Sequence, residues 1–100
     1  MDPVDFPKSS ADGIDLDSLS FDVYHCPTGA GGKEWGCVLD GNAVHIVYGA
    51  VGAKPNYYRK DFSNSHEALA YSAKKLKEKA RKGYTFNRKQ AFKRSELVTA

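Results

Sequence analysis

Between Phe21 and Phe62 the apolar residues fall mostly at every second position. After Asn64 they recur three and four apart, so the chain passes from a strand period to a helix period. Phe21 to Cys26 is rich in aromatic and β-branched residues and reads as a strand. Pro27 to Gly32 is a loop by composition. Lys33 to Leu39 reads as a second strand, with Trp35, Cys37 and Leu39 on one face. Asp40-Gly41-Asn42 signals a hairpin whose turn needs positive φ. The next strand, Ala43 to Ala50, puts Val44, Ile46 and Tyr48 on one side and His45 and Val47 on the other. Gly52 to Asn56 breaks it, and Tyr57 to Phe62 is a further strand, paired antiparallel with the one before. Phe62 marks the Tyr58-Lys60-Phe62 face of that strand as the inward one.

A helix begins at Asn64 or Ser65, with Asn64 as N-cap and Glu67 three residues on in a capping-box pattern. Its apolar stripe is Leu69, Ala73, Leu76 and Ala80, with Lys74, Glu78, Arg81 and Lys82 opposite. Tyr71 is expected on the polar side, beside the lysines. Gly83 stops the helix, and Tyr84-Thr85-Phe86 reads as a short closing strand. The fold class is α+β, a twisted antiparallel β-sheet with one main α-helix packed on a face. It is flanked by an acidic arm over 1–20 and, over 87–100, by a basic tail or a short helix spanning Lys89 to Leu97.

Composition narrows the class of molecule. A chain of 100 residues with 41% hydrophobic and 27% charged residues suits one small globular domain and is too apolar for full disorder. No apolar run approaches the length of a transmembrane helix, and the N-terminus lacks the basic-then-apolar pattern of a secretory leader. Two cysteines do not make a disulfide framework, so a reducing intracellular home is expected.

Charge changes the picture more. Residues 1–32 carry six acids and one base, whereas 33–100 carry fourteen bases and six acids; within 74–94 ten bases meet only Glu78. That excess points to a polyanion, nucleic acid first and an anionic membrane surface second. Lys74, Lys75, Arg81, Lys82, Arg88 and Lys89 are the candidate phosphate contacts, and Tyr48 and Tyr71 the candidate flat contacts to sugar or base. Lys54, in the glycine-bearing loop 49–56, is a further candidate beside backbone N–H groups. His25, Cys26, Cys37 and His45 match no compact zinc spacing, and no metal or other cofactor is expected. Cys37 and His45 on neighbouring strands are the one nucleophile–base pair the sequence allows; no catalytic motif supports it, and no enzyme activity is expected.

Lys33-Glu34-Trp35, the hairpin, Val44 to Gly52, Phe62 and the helix end Glu78-Lys79-x-x-Lys82-Gly83-Tyr84 together resemble the WGR domain over roughly residues 33–86. That domain occurs in DNA-damage-activated poly(ADP-ribose) polymerases and as a small module in bacterial proteins. In register, Tyr48-Gly49-Ala50 takes the place of the Trp-Gly-Arg signature, so Ala50 replaces the arginine, and Trp35 opens the first strand of the module. The resemblance implies an accessory module whose signature surface meets DNA sugar and phosphate, so DNA is expected ahead of RNA and no membrane partner is expected. The reading is a non-enzymatic nucleic-acid-binding module with little sequence preference, cytoplasmic on the nucleoid or nuclear. The alternative is a protein-interaction adaptor, or an inhibitor docking on a partner enzyme. The acidic arm would cover the basic face and compete with ligand.

Overall fold

A computed structural model describes residues 18–29 and 31–98; the expected acidic arm falls, up to Asp17, outside the described residues. The elements run β1 (Phe21–Cys26), β2 (Lys33–Asp40), β3 (Ala43–Ala50), β4 (Asn56–Asp61), α1 (Ser65–Arg81) and β5 (Thr85–Gln90), followed by one 3-10 turn at Arg94–Glu96. β2 and β3 form a hairpin across Gly41-Asn42, with Asp40 opposite Ala43 and Trp35 opposite Tyr48. Gly41 has φ 62°, the left-handed value that a two-residue hairpin turn asks of a glycine. The five strands lie in the order β4-β3-β2-β1-β5, and every neighbouring pair is antiparallel. Because β4 and β5 are the two edges, α1 must travel across the sheet to connect them.

Alternation along the strands gives the sheet two apolar faces, and both are covered. On one, Trp35, Val44 and Ile46 meet Ala68 of α1, with Tyr24, Cys37, Tyr58, Phe62, Tyr71, Leu76 and Tyr84 packed around them. On the other, Phe21, Val23, Val47 and Tyr57 are buried beneath Phe92 and Leu97 from the C-terminal segment. Phe92 meets Phe21 edge to face at 5.5 Å. Burial of each such side chain stabilises the fold by about 1.5–3 kcal/mol. Gly36 lies under this second layer; a Cβ there would stand 2.8 Å from Val47 Cγ2, so the site has no room for a side chain.

The antiparallel sheet with one helix packed on it is the fold class expected from the sequence, and Asn64 caps the helix as expected, its Oδ1 accepting from Glu67 N–H at 2.9 Å. Three local expectations are corrected. Asn87 to Gln90 extend the closing strand, and in place of either alternative for the C-terminal segment, a tail or a short helix over Lys89–Leu97, one 3-10 turn follows it, because Phe92 and Leu97 are drawn onto the uncovered sheet face. Tyr57, placed on the outward face of its strand, is buried by that same segment. The helix is also turned about its axis from the expected stripe. Ala68 is fully buried while Leu69 is 54% exposed, and Ala73 and Ala80 are exposed. Ala68 lets the helix approach the sheet closely, and the rings beneath accept the hydrocarbon stems of Lys75 and Lys79, both half-buried.

Candidate nucleic-acid interface

The end of α1 sets up the site. Gly83, with φ 100°, follows the helix; its N–H donates to Ala80 C=O, and Tyr84 N–H donates to Lys79 C=O. This doubled closure carries the residue after the glycine back over the third residue before the cap. Here those two are Tyr84 and Lys79, and Lys79 Nζ stands 5.2 Å from the Tyr84 ring and 5.9 Å from the Trp35 ring. Burial, and then the like charges of Lys82 and Lys75, push the Lys79 ammonium below its ordinary pKa. An anion placed beside it would relieve that crowding.

Lys79 and Lys75 form one wall of a groove of about 540 Å³ between α1 and the sheet; its remaining lining includes Lys33, Trp35, Ile46, Tyr48, Asn56, Tyr58 and Tyr84. Trp35 and Tyr48 are directly opposite in the hairpin, as are Lys33 and Ala50, so each pair projects on the same side of the sheet. Tyr48 is 45% exposed and meets Tyr58 edge on at 6.0 Å. Burial, together with a hydrogen bond to Tyr71, pushes the Tyr58 phenol up, so it stays neutral. The Glu34 carboxylate also borders the groove, but it accepts from Arg88 Nη1 at 2.7 Å and Nη2 at 3.2 Å, which holds it below the usual carboxyl range.

The sequence-predicted residues divide. Tyr48 and Lys75 join the groove; Lys75 also reaches Glu78 at 3.5 Å. Lys74, Arg81 and Lys82 are exposed on α1 and its cap, and among the described residues no carboxylate pairs with them or with Lys33, Lys54 and Lys79. Lys89 pairs with Asp22 at 2.6 Å, and Arg88 with Glu34, so these two are not gathered with the rest. Tyr71 does not stand on the polar side: it packs against Phe62 at 5.2 Å, with Lys60 Nζ 4.7 Å over its ring. Sheet aromatics draw it in, and the lysines around it reach over the ring. Lys54 lies in the turn after β3, where the N–H groups of Ala53 and Val51 already donate to Ala50 and Gly32 carbonyls.

Lys79 counts among the basic residues of the helix, and Tyr58 and Tyr84 among the aromatic residues, that the sequence offers as contacts; Lys33 does not, and the Glu-Lys-x-x-Lys-Gly-Tyr ending carries the signal that joins Tyr84 to Lys79. A glycine stop predicts that the residue after it folds back on the residue four before it. The one nucleophile–base pair that the sequence allowed is taken apart. Cys37 faces α1, its thiol pushed up to about 12 by burial, while His45 lies on the opposite face with Nδ1 2.8 Å from Tyr57 Oη.

On the other flank of α1 a second groove, of about 450 Å³, is lined by Leu39, Leu69, Ala73, Leu76, Tyr24 and Cys37, with Trp35 at its floor and Asp22 and Lys89 at its margin.

The family model of the WGR domain matches residues 35–92. A protein from Bacteroides fragilis of known crystal structure superposes with TM-score 0.64 at 27% identity, over 70% of this chain and 20% of its own. The chain thus spans about a fifth of that protein's length. No curated protein matches.

Proposed function

The chain belongs to the WGR domain family, and from that premise we propose that it binds nucleic acid through the groove beside Lys79, mainly by sugar and phosphate and with little sequence preference. WGR domains are generally nucleic-acid-binding, non-catalytic modules of poly(ADP-ribose) polymerase-like proteins. The observation that carries the reading is the juxtaposition of Lys33 and Lys79 with the rings of Trp35, Tyr48 and Tyr84. The family's signature arginine is Ala50 here, yet Lys33 stands directly across from it and returns a cation to that edge. Lys74, Arg81 and Lys82 would extend the positive surface along α1.

Salt-titrated anisotropy with labelled duplex DNA, single-stranded DNA and RNA tests this. Affinity should fall steeply with salt, with a log–log slope of about −0.9 per duplex phosphate neutralised. Reversing Lys74, Lys75, Arg81 and Lys82 to Glu should weaken binding to every sequence alike. No binding at low salt, or binding indifferent to that reversal, contradicts the proposal.

A second reading, docking on a partner protein, is favoured by the apolar groove lined by Leu39, Leu69 and Leu76, which a nucleic acid would not use. A stoichiometric protein retained after nuclease treatment would support it.

A further inference from the structure

The groove beside Lys79 is more aromatic than a phosphate ribbon requires. Resting on the nucleic-acid reading, we propose that it accepts one unpaired nucleotide of a single strand, with the base against Tyr48 and the flanking phosphates toward Lys33 and Lys79. Three features point there. Its volume of about 540 Å³ falls within the range of small-molecule clefts, enough space to seat one nucleotide. A duplex keeps its bases stacked inside a convex outline, so it would touch the rim at Lys33 and Tyr48 and leave the space between Tyr48, Tyr58 and Lys79 unfilled. Rings alternating with cations around a groove is the arrangement that holds single strands, because every base offers a flat face while its phosphate needs a counter-charge.

Tyr48 is suited to the stacking role, being 45% exposed and braced edge on by Tyr58. Beside it, the Asn56 side-chain amide, turned toward Tyr48 C=O at 3.5 Å, offers both a donor and an acceptor, which suits base edges without choosing among them. The lining argues against the other ligand that aromatic pockets take, a methylated ammonium. Lys33, Lys75 and Lys79 would repel it, and the bordering carboxylate, Glu34, is bonded to Arg88.

The test is equilibrium binding of the 100-residue chain to oligothymidine, to oligouridine and to a hairpin duplex of equal nucleotide number at one salt concentration. The emission of the single tryptophan, Trp35, which floors the groove, is followed alongside. Single strands should bind about tenfold tighter than the duplex and alone shift the Trp35 emission; Tyr48→Ala should remove about tenfold from single strands and change the duplex by less than about twofold, while Tyr48→Phe keeps both. The thymidine and uridine arms tell whether DNA or RNA is the better source of the nucleotide. Duplex bound as tightly as single strand, with Tyr48→Ala acting equally on both, overturns the unpaired-nucleotide proposal and leaves nucleic-acid binding standing. Loss of binding to all three ligands overturns both.

Discussion

Helix α1 has a groove on each flank, and the two differ in kind. One is walled by Lys75 and Lys79 and ringed by Tyr48, Tyr58 and Tyr84; the other is walled by Leu69, Ala73 and Leu76 over Tyr24 and Cys37. Trp35 floors both. The difference comes from how the helix is turned. With Ala68 against the sheet, the lysine edge bends in over aromatic rings, while on the other edge Leu76 packs at the margin of the core and Leu69 is left exposed. Lysine stems are apolar enough to be held there while their ammonium groups reach the groove mouth. The helix therefore gives up some apolar burial, and the same turn assembles a cationic site.

Substitutions can break that comparison at several strengths. The largest effect belongs to the shared floor: Trp35→Ala should destabilise the domain by about 3–5 kcal/mol, seen as a lower denaturant midpoint, because it empties the space beneath α1. Next, Lys79→Glu should weaken oligonucleotide binding by on the order of tenfold at low salt while leaving the unfolding midpoint nearly in place. A smaller, pH-dependent effect belongs to neither groove. Burial beside Tyr57 holds His45 below its ordinary value of 6.5, with Asp40 opposing. The folded chain thus prefers the neutral ring and the unfolded chain takes the proton first. The stability is full above about pH 6.5 and drains as pH falls through the lowered folded value. Thermal midpoints of the wild type and His45→Asn, compared from pH 8 to 5, should converge at the acid end. The smallest effect is on the leucine flank, where Leu69→Ser should change stability by less than about 0.5 kcal/mol and leave nucleic-acid affinity alone.

The sheet and the helix limits were legible because alternation, the Asn64 cap and the Gly83 stop are local signals. What escaped was set by tertiary packing. Leu69, Ala73 and Leu76 make a good helical stripe by spacing, yet burial went to Ala68 because closeness of approach outweighed side-chain area. Tyr57 and Phe92 belong to one buried cluster although they are 35 residues apart in the chain, beyond the reach of any periodic pattern. Of the site, Tyr48 and Lys75 could be read from composition and from family resemblance. Lys33 could not, since its role depends on hairpin register, which places it across from Ala50. Arg88 and Lys89 counted toward the basic excess, but carboxylates from the first two strands quiet them.

The most direct check is the salt dependence of oligonucleotide affinity for the wild type beside Lys33→Gln/Lys79→Gln, two substitutions that remove charge at the groove while keeping a polar side chain only one atom shorter. The log–log slope should become shallower by about the two phosphate contacts removed, and the drop should be common to all sequences. An unchanged slope and affinity would mean that the groove beside Lys79 is not where nucleic acid binds.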